Sequence, residues 1–131
     1  MPDYDEVDDE VDDRLGLDWS DIAERDFVNS VRYFMNRIHN IAMHNGHWDN
    51  PVDITKSLCW IHSEVSEAFD AWQHGSKPST KIPYSTLVEE LADVFIVMAD
   101  MCQANGFDLA GAIIDKIDFN KTREYRHGKV N

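Results

Sequence analysis

Apolar positions recur at three- and four-residue spacing in four segments, the period of one face of an α-helix. The first runs from about Glu24 to Asn45 and carries Phe27, Val31, Phe34, Ile38 and Ile41 on one stripe. The turn "NGHWDNP" ends it at Gly46. The second starts at Asp53, a predicted N-cap, and stops at Gly75, with Leu58, Ile61, Val65, Ala68 and Trp72 as its main stripe. "GSKPSTKIPY" reads as a loop by composition. The third opens with the capping-box pattern Thr86-x-x-Glu89, aligns Leu87, Leu91, Phe95, Met98 and Cys102, and closes at Asn105-Gly106. Asp108 can cap a fourth, which runs to about Glu124. Nothing reads as a run of strands, so the predicted class is all-α. Four helices with mostly short connections predict a bundle.

Some polar positions do not fit these stripes. With Val65 set to zero and about 100° per residue, the second helix's stripe lies within roughly 60° of zero. Glu64 then falls near about 260° and Glu67 near about 200°, and the large ring of Trp60 shares their flank. The third helix repeats the arrangement. With Leu91 as zero, Glu90 falls near about 260°, Asp93 near about 200° and Asp100 near about 180°, with Val97 between. The run "VFIVMA" from Val94 to Ala99 is apolar all round, as a helix covered on every side requires. Four carboxylates meeting in a covered site would repel one another and lose hydration. Divalent cations with a preference for hard oxygen ligands, Mg²⁺ or Mn²⁺, relieve both costs. Glu64, Glu67, Glu90 and Asp93 are therefore the candidate metal ligands. The competing reading is two solvated acid pairs.

The net charge of −13 is uneven. Eight of the 25 acids lie in residues 1–13, which contain no Lys or Arg; the remaining 17 face 12 bases. Residues 1–22 therefore read as an acidic, disordered arm, residues 23–125 as one domain, and residues 126–131 as a tail. So acidic a chain lacks the clustered cations that nucleic acid requires. No signal-peptide pattern and no bilayer-length apolar run is present, so the expectation is a soluble cytoplasmic protein without membrane partners. Cys59 and Cys102 fall in apolar helical patterns and read as reduced core residues.

Lys116, Asn120 and Arg123 share one face of the fourth helix at i, i+4 and i+7. Two cations with an amide between them suit phosphate oxygens, which metal ions in turn bridge to acidic ligands. A di-iron bundle would need E-x-x-H on two helices, and Glu124 to His127 is the sole such spacing. His39, His44 and His47 read as surface or turn residues rather than a zinc site.

Taken in order, "EVSE" at 64–67, "EELAD" at 89–93 and "DKIDFNKTR" at 115–123 resemble the signature of the all-α nucleoside triphosphate pyrophosphohydrolases, the MazG-like enzymes and the related dCTP pyrophosphatases. That signature is E-x-x-E, a spacer, E-x-x-D, and K-x-x-x-N near the end. The resemblance covers about residues 25–125. It implies that Glu64, Glu67, Glu90 and Asp93 hold Mg²⁺ and that Lys116 and Asn120, helped by Arg123, hold the triphosphate. It also implies conversion of a nucleoside triphosphate and water to the monophosphate and pyrophosphate, by a homo-oligomer that is a dimer or a dimer of dimers. The dCTP-preferring branch places a His and a Trp nine apart at the nucleobase, a spacing matched by His39 and Trp48. His74 and Val97 stand where that branch has aromatic residues. A non-catalytic helical interaction module is the alternative, since it would keep the apolar stripes but has no need of matched acid pairs.

Overall fold

Capping chemistry sets the helix ends. The computed structural model describes residues 11–12 and 17–123. Most of the acidic arm, the tail and the Glu124–His127 pair lie outside the described residues. A short antiparallel ladder comes first, β1 (Val11–Asp12) and β2 (Leu17–Asp18), with Val11 opposite Asp18 and Asp12 opposite Leu17. Four helices follow: α1 (Trp19–His44), α2 (Ile54–Gln73), α3 (Thr86–Asn105) and α4 (Leu109–Lys121). The described residues thus show the all-α class, with four helices. No helix among the described residues is long and apolar enough to cross a membrane.

The first helix begins five residues before its predicted start, inside the segment read as arm. Asp18 explains this: its carboxylate accepts from the Ser20 backbone N–H at 2.9 Å and from the Ser20 hydroxyl at 2.6 Å. These bonds satisfy donors of the first turn and hold the Asp18 carboxyl below its ordinary value. Asp53 caps α2 as expected, accepting from Lys56 N–H at 2.7 Å. Gly75 follows with φ +85°, a left-handed conformation that glycine adopts without steric cost. The α3 cap differs from the expected one. Ser85, not Thr86, accepts from the Val88 N–H, and Gly106 closes the helix in the left-handed region. Glu89 is released from a capping box and pairs with Lys81 at 3.2 Å.

The chain forms two compact units, residues 33–109 and, among the described residues, the earlier part with 110–123. Within residues 33–109, α2 packs on α3. Ser57, Trp60 and Glu64 share a cavity with Val97, Asp100 and Met101, while Ala71 and His74 share another with Thr86 and Glu90. The two helices therefore run antiparallel.

Their covered face takes in only part of each apolar stripe. On α2, Ser57 and Ala68 are buried and Ile61, Glu64 and Ala71 half-buried, whereas Leu58, Val65 and Trp72 are 46%, 50% and 64% exposed. On α3, Leu91 and Phe95 are likewise exposed while Glu90, Val94 and Val97 are half-buried and Met101 is buried. The covered face of α2 is turned by roughly 70° from its predicted stripe toward the acids, whereas α3 also covers Leu87, Met98 and Cys102 of its stripe. Small side chains explain the choice on α2, since Ser57, Ala68 and Ala71 permit close backbone approach. On α1, Phe27, Phe34 and Ile41 of the predicted stripe are also exposed. Cys102 is buried, which pushes its thiol up, but Cys59 is exposed; both are free.

Candidate functional site

The packing of α2 on α3 puts the acids in the seam between them. Glu64, Glu90 and Asp93 each bring a carboxylate oxygen to within 4.8 Å of the others. Glu67 lies in hydrogen-bond reach of both Glu64 and Glu90. Helical spacing does this locally: residues three apart share a side, so each E-x-x-E/D pair points one way, and antiparallel packing faces the two pairs. Burial first, and then mutual repulsion with Glu67 and Asp93, pushes the Glu64 and Glu90 carboxyls up. Asp93 is pushed up by burial and by Glu89, against the opposing pull of Lys81. The adjacent Glu89 behaves oppositely: hydrogen bonds from Ser79 and Lys81 hold it down. "EE" at 89–90 is thus split, one glutamate neutralised by a lysine and the other committed to the cluster.

A donor set of three converging carboxylates, with a fourth beside them, fits a hard divalent cation. All four predicted metal ligands are brought together. Among the described residues no other group of three acids, histidines or cysteines converges in this way. His44 and His47 belong to no such group, and His47 instead meets Trp60 edge to face at 6.3 Å.

Further along the same seam lies a cavity of about 330 Å³. Its walls include Ile38, Ile41, Trp48, Trp60, Ile96, Val97 and Met101, with Asn45, Glu64 and Asp100 as polar members. His39 and Trp48 are brought together as expected, ring centroids 5.4 Å apart and nearly perpendicular. What joins them is Asp100. Its Oδ1 lies 2.6 Å from His39 Nδ1, and Trp48 Nε1 donates to Oδ1 at 3.1 Å and to Oδ2 at 3.0 Å. Trp48 lines the cavity, whereas His39 reaches it only through Asp100. Sequence reasoning placed Asp100 on the acidic flank but assigned it no role. The available signal was its position: two turns beyond Asp93, in an otherwise apolar run. Val97 lines this cavity, and His74 ends α2, its Nδ1 2.8 Å from the Asp70 carbonyl oxygen.

Lys116, Asn120 and Arg123 belong to the other compact unit. Lys116 and Asn120 lie on α4, but Arg123 falls beyond its end at Lys121, so the predicted seven-residue face is shortened. Phe119 gathers the cations instead: Lys116 Nζ lies 4.6 Å and the Arg123 guanidinium carbon 5.8 Å from its ring centroid. All three predicted phosphate-binding side chains are exposed.

Comparison with protein-family models, with curated proteins and with solved structures gives no match to the chain.

Proposed function

We propose that the protein is a Mg²⁺-dependent nucleoside triphosphate pyrophosphohydrolase with the four-helix bundle of that family, Mn²⁺ serving in place of Mg²⁺. It converts a nucleoside triphosphate and water to the monophosphate and pyrophosphate, with a preference for deoxynucleotides, in the cytoplasm. One observation carries this reading: the convergence of Glu64, Glu90 and Asp93, with Glu67 beside them, in a seam between two helices. Carboxyls that burial and mutual repulsion push up are costly unless a cation compensates them.

In this reading Glu64, Glu67, Glu90 and Asp93 hold the cation. The ion supplies charge neutralisation and alignment of the triphosphate. Lys116, Asn120 and Arg123 donate to phosphate oxygens through charge-assisted and amide hydrogen bonds. Trp48 offers an aromatic face for stacking of the base, and its wall position supports that role. His39 acts one step back, by orienting Asp100. The working form is a homo-oligomer, a dimer or a dimer of dimers. The exposed stripe of Leu58, Val65, Phe69, Trp72 and Leu91 supports association, because so much apolar side chain along one helix pair is unusual for a solvated surface.

The same stripe favours a second reading, a non-catalytic interaction module that uses α2 and α3 to bind another helix. Release of pyrophosphate from a panel of nucleoside triphosphates, with Mg²⁺ and after chelation, separates the two. Metal-dependent release supports the enzyme. No release from any nucleotide, by a protein of unchanged helicity, leaves the interaction module.

A further inference from the structure

Among the polar groups of the cavity, Asp100 stands out because α1, the turn after it and α3 all contribute to holding it. Its side chain is 14% exposed and set among Ile96, Val97 and Met101, so its placement is not that of a solvated acid. A carboxylate accepts hydrogen bonds and has about four lone-pair directions. His39 and one branch of the Trp48 N–H use Oδ1; Oδ2 carries only the other branch of that shared bond. Oδ2 therefore keeps an acceptor direction in hand, on a residue that lines the cavity. The two N–H groups also fix the plane of the carboxylate, so that direction is set before any ligand enters.

We infer that Asp100 is the specificity-determining residue of this cavity, selecting bases that present an exocyclic amino donor over uracil and thymine, whose one N–H is flanked by carbonyls. The inference rests on the nucleotide reading above and extends it to the residue that reads the base. The indole of Trp48 supplies a face on which any base can stack, which binds without discriminating. Discrimination comes from the acceptor. The amino group of cytosine, adenine or guanine can donate to Oδ2. Uracil and thymine place a carbonyl oxygen on each side of their one N–H, so approach sets lone pair against lone pair. A site built on a buried hydrogen-bonding group rejects the analogue that cannot pair with it far better than an apolar pocket rejects a ring of different size. His39 and Trp48 are then positioning residues as much as contacts, since both act on the carboxylate.

The test compares deoxycytidine with deoxyuridine, which differ at this edge, by calorimetric binding to the full chain, alongside turnover of their triphosphates. Wild-type protein is expected to bind deoxycytidine at least tenfold more tightly. Asp100→Asn, which replaces an acceptor-only group by one that also donates, is expected to bring the two within threefold. The triphosphates should show this change in KM, with kcat for the cytosine substrate little altered. Equal wild-type affinities, or a ratio that survives Asp100→Asn in a protein of unchanged circular dichroism, overturns the inference. Should the variant not fold, the wild-type ratio alone decides. Absence of turnover with any triphosphate would sink the enzymatic reading, while the nucleoside ratio would still judge Asp100.

Discussion

Asp100 and the group of Glu64, Glu90 and Asp93 lie along the α2–α3 seam, and their surroundings are opposite. Asp100 is met by N–H groups from His39 and Trp48, so its burial is compensated by hydrogen-bond donors. Glu64 and Glu90 meet chiefly Glu67 and Asp93, and Asp93 is set against Glu89 and Glu67 with Lys81 opposing; burial and repulsion push all three up. Asp100, Glu90 and Asp93 sit on the same flank of α3. Position on a helix face therefore does not distinguish a carboxylate met by donors from one set against other acids. The partners brought by the neighbouring element do.

The largest expected effect lies at the cluster. Glu64→Ala, Glu67→Ala, Glu90→Ala and Asp93→Ala should each abolish metal-dependent pyrophosphate release while leaving helicity by circular dichroism intact. Wild-type rates in all four would remove the cation from the account and reduce the cluster to a solvated feature. Next comes Lys116→Ala, which should raise KM and slow turnover by a combined loss of about 2 kcal/mol, the contribution of a charge-assisted phosphate contact. Metal affinity of the nucleotide-free protein, measured by calorimetry, should hardly change, and unaltered kinetics would take α4 out of the site.

Stability measurements sharpen the contrast. Trp48→Phe keeps a ring but deletes the Nε1–H that serves Asp100, and should destabilise by about 1–2 kcal/mol in urea unfolding. Glu64→Gln or Glu90→Gln, in metal-free protein at neutral pH, should do the reverse and raise the melting temperature slightly. The sign follows from linkage. These carboxyls are pushed up in the fold, so the fold favours their protonated forms. The associated stability is complete below the unfolded carboxylate range and lost as pH rises through the raised values. Metal-free wild type should therefore lose melting temperature with rising pH more steeply than either glutamine variant. Equal slopes would mean that the cluster is not strained. The smallest expected effect is deletion of residues 1–17, which should leave the rate per site unchanged because the Asp18 cap is kept.

Much of the helical layout was legible in the chain. Asp53, Gly75 and Gly106 mark their helix ends by chemistry that acts within one turn, and Glu64, Glu67, Glu90 and Asp93 were paired by spacing alone. The start of α1 was missed because an acidic composition outweighed a cap that involves only Asp18 and Ser20. The reach of α4 was overextended, which left Arg123 beyond the helix. His39 and Trp48 could be matched as a pair, but Asp100, 61 residues from His39, could not be joined to them by any local rule.

Period, caps and three-residue spacing were enough to mark the four helices, where most of them end, and which acids point together. Which face of each helix meets its neighbour was decided only in three dimensions. Apolar periodicity selects a face that must avoid water, yet it does not say what covers it. In residues 33–109 the small side chains of Ser57, Ala68 and Ala71 admitted α3, and the larger stripe of Leu58, Val65 and Trp72 was left outward. That choice carried the carboxylates into the seam, where α1 and the turn after it bring donors to Asp100 and the facing helix brings acids to the cluster.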